Sequence, residues 1–199
     1  MLRDSFFGRI MGIGSTSGVR VVVGSWDQSP FGRFADAMIA DTFGRRVLLA
    51  PTKTVADYVS STYTFDEIVV EDIEVDPFFS VRSHSLCLDV ALGERGLLGS
   101  FLRAIPRSIA HSPLLAELVD PIASAMLPGV RTAGSAGSGR REYYCATDHV
   151  PVRAMAGTWR GMPLGELAPV TPPPAFGFAS SPAKPSVVSL RTVVDRPEP

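Results

Sequence analysis

Apolar and polar positions alternate from Val19 onward, with Val19, Val21 and Val23 on one side of an extended backbone. Gly24 and Trp26 carry this strand into Asp27-Gln28-Ser29-Pro30-Phe31-Gly32, a run of turn-forming residues. Residues 33–40 and 45–50 flank Asp41-Thr42-Phe43-Gly44, which predicts a hairpin with a four-residue loop. After Pro51 the period lengthens. Val55, Tyr58, Val59 and Tyr63 line one side of a short helix that Thr52 or Thr54 can cap. Residues 67–76 and 78–92 read as two further strands. In the second, Phe79 and Val81 are odd-numbered apolar positions, while Leu86, Leu88, Val90 and Leu92 are even. A period of two cannot change phase unaided, so a bulge or tight bend is expected near Arg82-Ser83-His84-Ser85.

Leu97 to Leu127 breaks the alternation. Pro106, Pro113 and Pro121 divide it, and the pattern predicts two or three short helices. Ser112-Pro113 and Asp120-Pro121 each read as a cap followed by proline at the first helical position. Residues 132–139 read as a flexible loop, 140–149 and 151–160 as strands, and Arg160-Gly161 as a turn. Pro169 to Pro174 suits an extended connector, and a last strand is expected at about 187–194. Residues 1–18 show little pattern and read as a flexible lead-in to one domain, 19–199, with a helical insertion at 97–127. The expected class is α+β and β-rich: an antiparallel barrel or strongly bent sheet, lipocalin-like by analogy.

Composition narrows the function classes. The chain has 199 residues with a formal net charge of −1, which argues against nucleic-acid binding through bulk charge. Charges interrupt the first eighteen residues and every long apolar run, so neither a signal peptide nor a transmembrane segment is expected, and the default location is cytoplasmic. Cys87 and Cys145 lack metal or redox spacing and read as small buried apolar residues. His84, His111 and His149 form no metal-ligand motif, so neither a metal nor a cofactor is expected. The cations are 17 Arg and only 2 Lys, and Asn is absent, a bias that suits GC-rich codons.

The densest candidate chemistry is Arg140-Arg141-Glu142-Tyr143-Tyr144-Cys145-Ala146-Thr147-Asp148-His149. On a regular strand Arg141, Tyr143 and His149 share a face, a set able to bind an anionic group and move a proton. The second candidate, Trp26 to Asp36, interleaves aromatics with Asp and Arg as the mouth of a pocket would. The candidate ligand-binding residues are Trp26, Asp27, Phe34, Arg141, Tyr143, Tyr144 and Trp159. The candidate catalytic residues are His149, Tyr143 and His84.

Three stretches carry a resemblance: Phe31-Gly32-Arg33-Phe34-Ala35-Asp36, Arg46-Val47-Leu48-Leu49-Ala50-Pro51-Thr52, and Pro128-Gly129-Val130-Arg131-Thr132 through Arg141-Glu142-Tyr143-Tyr144. They resemble a group of uncharacterised conserved proteins from high-GC actinobacteria, along most of the chain. The resemblance implies no activity and assigns no residue a role. Three readings of function stay open. One is a module enclosing a small apolar or anionic ligand, and another an enzyme using the same cavity. The third is an interaction protein that docks residues 97–127 on a partner or a membrane surface.

Overall fold

The computed structural model describes residues 1–126, 131–177 and 181–198. It opens with β1 (Leu2–Ser15), β2 (Arg20–Gln28), β3 (Phe34–Ala40), β4 (Arg46–Ala50), helix α1 (Lys53–Ser60) and β5 (Glu67–Val70). Next come β6 (Glu74–Val75), β7 (Val81–Arg82), β8 (Leu86–Leu92), and the helices α2 (Leu97–Ala104), α3 (Arg107–Ala110) and α4 (Pro113–Met126). The chain closes with β9 (Ala133–Ser135), β10 (Arg141–Trp159), β11 (Met162–Pro163), β12 (Leu167–Ala168) and β13 (Ser186–Arg196).

These strands form one strongly bent sheet in the order β5-β4-β3-β2-β1-β13-β10-β8-β7-β6, with β9 and β11 on β10 and β12 on β1. The path runs open from β5 to β6, and β5 pairs with β4 in parallel. The sheet is therefore mixed and unclosed, not an antiparallel barrel. One side of it holds the main core. Met11, Ile13, Val21, Val23, Ile39 and Leu49 pack there against Phe79, Leu86, Leu88, Met155 and Trp159. The opposite side is covered by α1 and by the segment carrying Phe176.

Several local readings hold. The Thr52 hydroxyl accepts from the Val55 N–H at 3.2 Å and caps α1. The 41–44 loop closes the β3–β4 hairpin, with Gly44 at φ 81°. The phase change near residues 82–85 is the tight turn between β7 and β8. Pro113 is the first residue of α4.

Other readings need correction. The expected flexible lead-in is β1, a fourteen-residue strand between β2 and β13 near the middle of the sheet. Its glycines hid the alternation. They are there because neighbouring chains come close: a Cβ on Gly8 would overlap the backbone of Ser25 and Trp26. The 132–139 loop contains β9, paired to β10, followed by a 3₁₀ turn at Gly137–Gly139. The two strands expected at 140–160 are one nineteen-residue strand, β10, whose bend is taken up by irregularities near Thr147 and Arg153. Pro121 lies inside α4 and starts no helix; Asp120 instead accepts from the Thr132 N–H at 2.6 Å and from Arg131 at 2.9 Å. Leu127, the end of the expected insertion, lies outside the described residues. Cys145 is buried, whereas Cys87 is exposed.

Candidate functional site

The helices α2, α3 and α4 cover the face of the sheet formed by the near halves of β1, β13 and β10. Alternation places Arg3, Ser5, Phe7, Arg191, Val193, Tyr143 and Cys145 on that face. Ala116 of α4 packs on Ala133, Tyr143, Cys145 and Val193. Gly99 of α2 lies so close to β10 that a Cβ would overlap the His149 carbonyl oxygen. With these small residues turned inward, the large ones turn outward. Leu97 is 92% exposed, Phe101 66%, Leu114 70% and Leu118 74%, and Leu98 and Ile109 are exposed as well. Large apolar side chains left in water across three successive helices are an anomaly that packing does not explain.

Just before α2, an apolar groove of about 620 Å³ runs between Phe78, Val90, Leu92 and Val150, with Arg95 at its edge. Phe78 is itself exposed. The helical run that follows is basic up to Ala116. From Gly96 to Ala116 the chain has Arg103, Arg107 and His111 and no acidic residue. Arg95 forms a two-pronged pair with Asp148 at 2.8 and 2.9 Å, and Arg103 reaches the same carboxylate only loosely, at 3.7 Å.

A second cluster lies on the other side of the sheet. The Tyr63 hydroxyl donates to Glu142 Oε2 at 2.8 Å and lies 2.6 Å from the Tyr144 hydroxyl, which is 3.2 Å from the same Glu142 oxygen. Burial pushes the Glu142 carboxyl up to about 7, against the pull of the two phenols and the nearby Arg140 charge. Asp36, buried beside Trp26, is pushed up to about 6 by burial even though the indole N–H donates to it at 2.8 Å. Its charge is felt by Tyr144, so the two acids belong to one buried region.

The structure distributes the sequence candidates over both sides. Arg141 and Tyr143 come together beneath α4, where Arg141 pairs with Glu117 at 2.6 Å and lies over the Tyr143 ring. Tyr144, Trp26 and Phe34 are on the opposite side; Trp26 and Phe34 pack with Phe6 and Phe31. Asp27 is exposed at the end of β2, and Trp159 is buried in the main core at the far end of β10. His84 is exposed in the β7–β8 turn. The irregularity at Thr147 shifts the phase, so Asp148 takes the Arg141 side and His149 takes the Tyr144 side. Arg141, Tyr143 and His149 therefore do not share a face. Arg33, Phe34 and Ala35 do line a cleft of about 700 Å³ at the sheet's open seam, facing Glu74, Asp76 and Arg82.

Sequence reasoning missed Glu142, Asp36 and Tyr63 as one group, and Arg107, His111 and Arg191 as another. Neither group has a spacing signal, because each is assembled by pairing between distant strands. Among the described residues no three His, Cys, Asp or Glu side chains gather to hold a metal ion, and no helix is long and apolar enough to cross a membrane.

Fold and site together define an open, bent mixed-sheet domain that carries a run of helices with exposed apolar side chains on one face. Compared with protein-family models, curated proteins and solved structures, the chain matches none.

Proposed function

We propose that this protein is a peripheral lipid-binding domain. It rests the helices of residues 97–118 on an anionic bilayer and takes an apolar chain into the adjoining groove. The observation that carries this reading is the exposure of Leu97, Leu98, Phe101, Ile109, Leu114 and Leu118 on a run whose charged residues are Arg103, Arg107 and a single acid, Glu117, paired with Arg141. Apolar side chains inserted among acyl chains are stabilised by removal from water, while arginines at the same level reach lipid phosphates. The one acidic residue of the run, Glu117, is paired with Arg141. The groove walls, with Phe78, Val90, Leu92 and Val150, suit an apolar chain. This retains the apolar or anionic ligand expected from sequence while moving it from an enclosed interior to the surface.

The test is co-sedimentation with vesicles of phosphatidylcholine alone and of phosphatidylcholine with phosphatidylglycerol. Binding is expected only to the anionic vesicles and to weaken with salt. Burying a Phe is worth about 2–3 kcal/mol, so Phe101→Asp is expected to cut vesicle affinity by roughly thirtyfold or more. Failure to bind anionic vesicles, or binding that Phe101→Asp and Leu114→Asp leave unchanged, overturns the reading. If the same variants instead dissolve a dimer, the face belongs to a second copy of the chain. A monomeric fatty acid at sub-micellar concentration separately probes the groove.

A further inference from the structure

Arg191 differs from the other arginines around it. Arg3 is paired with Asp195, Arg196 with Asp4, Arg141 with Glu117 and Arg131 with Asp120. Arg191, on β13 between Phe7 of β1 and Cys145 of β10, has no ion pair among the described residues. One terminal nitrogen donates to the His111 carbonyl at 3.1 Å and the other to the Ser5 hydroxyl at 2.9 Å, while the guanidinium lies over the Phe7 ring. Its Nε–H is buried and has no acceptor. A buried donor on a cation normally finds one, because leaving it unmet costs free energy.

Two more cationic or donor groups stand beside it. The His111 ring packs edge-on against the same Phe7 ring, with centroids 5.6 Å apart. Its pKa is lowered first by burial and then by Arg191 and Arg107, and no carboxylate opposes those two charges. Arg107, one turn earlier on α3, is exposed and also lacks an ion pair among the described residues. The acidic groups on the packed elements are engaged elsewhere: Asp148 by Arg95, Glu117 by Arg141 and Asp4 by Arg196.

We infer that Arg107, His111 and Arg191, with Ser5, form a binding site for a phosphate-type oxyanion at the turn between α3 and α4. A tetrahedral oxyanion offers only acceptors, and this set offers only positive charge and hydroxyl or N–H donors at its open positions. The turn lies midway along the apolar run, where a lipid head group would sit. As a head-group site the inference rests on the lipid reading. As an oxyanion site it stands alone, since a free phosphate ester has the same chemistry.

The experiment follows the three histidines by NMR, with His84 and His149 as internal references. The titration midpoint of His111 is measured with inorganic phosphate and with chloride at matched ionic strength. It is then measured with vesicles that contain or lack phosphatidic acid. Phosphate is expected to raise the His111 midpoint by about half a unit or more, because a bound anion favours the imidazolium. His84 and His149 should stay in place. Arg191→Gln should abolish the shift, and Arg107→Gln, at an exposed position that packing does not constrain, should at least halve it. No shift, or an equal shift at all three histidines, overturns the site. A shift with phosphate but no vesicle binding keeps the oxyanion site and removes the lipid reading. Vesicle binding with His111 unmoved by either probe keeps the lipid reading and removes the site. A shift with phosphatidic acid alone assigns the site to the head group.

Discussion

At the residue scale the two buried acids make the sharpest statement about pH. Glu142 has an ordinary value of 4.5 and is held at about 7 in the folded protein, and Asp36 moves from 3.8 to about 6. A carboxyl raised by folding contributes stability that is fully present below its unfolded pKa and is lost as pH rises through the folded value. Glu142 therefore weakens the fold progressively from about pH 4.5 to about 7, by on the order of 3 kcal/mol in all. Asp36 acts in the same sense at lower pH. His111 and His149, both lowered by burial, oppose this below about pH 6.5, so the wild-type profile alone does not isolate the acid. The difference between wild type and Glu142→Gln does. Relative to wild type, E142Q should gain thermal stability between pH 5 and pH 8, read as melting temperatures at both; a difference independent of pH contradicts the burial argument. The sequence already separated Glu142 and Tyr144 from Arg141 and Tyr143, since alternation alone does that. It did not show that the Glu142 side is buried, because its cover comes from Tyr63 and residues around Phe176, more than thirty positions away in either direction.

At the element scale, chemistry within a few residues was legible and pairing was not. Thr52 caps α1, Pro113 starts α4 and the 41–44 loop turns a hairpin, because each needs only its immediate neighbours. Asp120-Pro121 carries the same local signature as Ser112-Pro113 yet sits inside a helix. There the carboxylate takes backbone donors from Thr132 and Ala133 on the next element, a tertiary bond that outweighs the local cap. The position of α2 depends on such a long-range fit at Gly99. A methyl group there meets the His149 carbonyl and crowds the Asp148 carboxylate that holds Arg95. Gly99→Ala should therefore destabilise the protein by about 1–3 kcal/mol, as overpacking does, even though alanine is the better helix former. Urea unfolding reads it. The exposed Ser100→Ala next to it should stay within about 0.5 kcal/mol of wild type. Equal midpoints for the two variants would show that α2 is not held against β10 in this way.

At the scale of the whole molecule, the N-terminal strand is the largest gap between pattern and fold. Its glycines at 8, 12 and 14 erase the alternation that marks a strand, while its neighbours, β2 and β13, are separated from each other by more than 150 residues of chain. Only the folded chain shows that β1 joins the two halves of the sheet. One half runs from β2 to β5, the other from β13 to β6, and the main core is built from both. β1 places Met11 and Ile13 there with no exposed surface and pairs with β13 along eleven positions, from Leu2 opposite Arg196 to Gly12 opposite Ser186. Removing residues 1–15 would strip the backbone partners from two long strands at once and leave two raw edges beside an opened core. The truncated chain should lose its dispersed amide spectrum and cooperative thermal transition, whereas removal of Pro197 to Pro199 should leave both intact. A synthetic peptide of residues 1–18 added in trans should restore the dispersion, because the empty slot presents donors and acceptors on both sides in the register that β1 occupies. A truncated chain that keeps a wild-type spectrum without the peptide would instead make the segment the dispensable lead-in that its composition suggests.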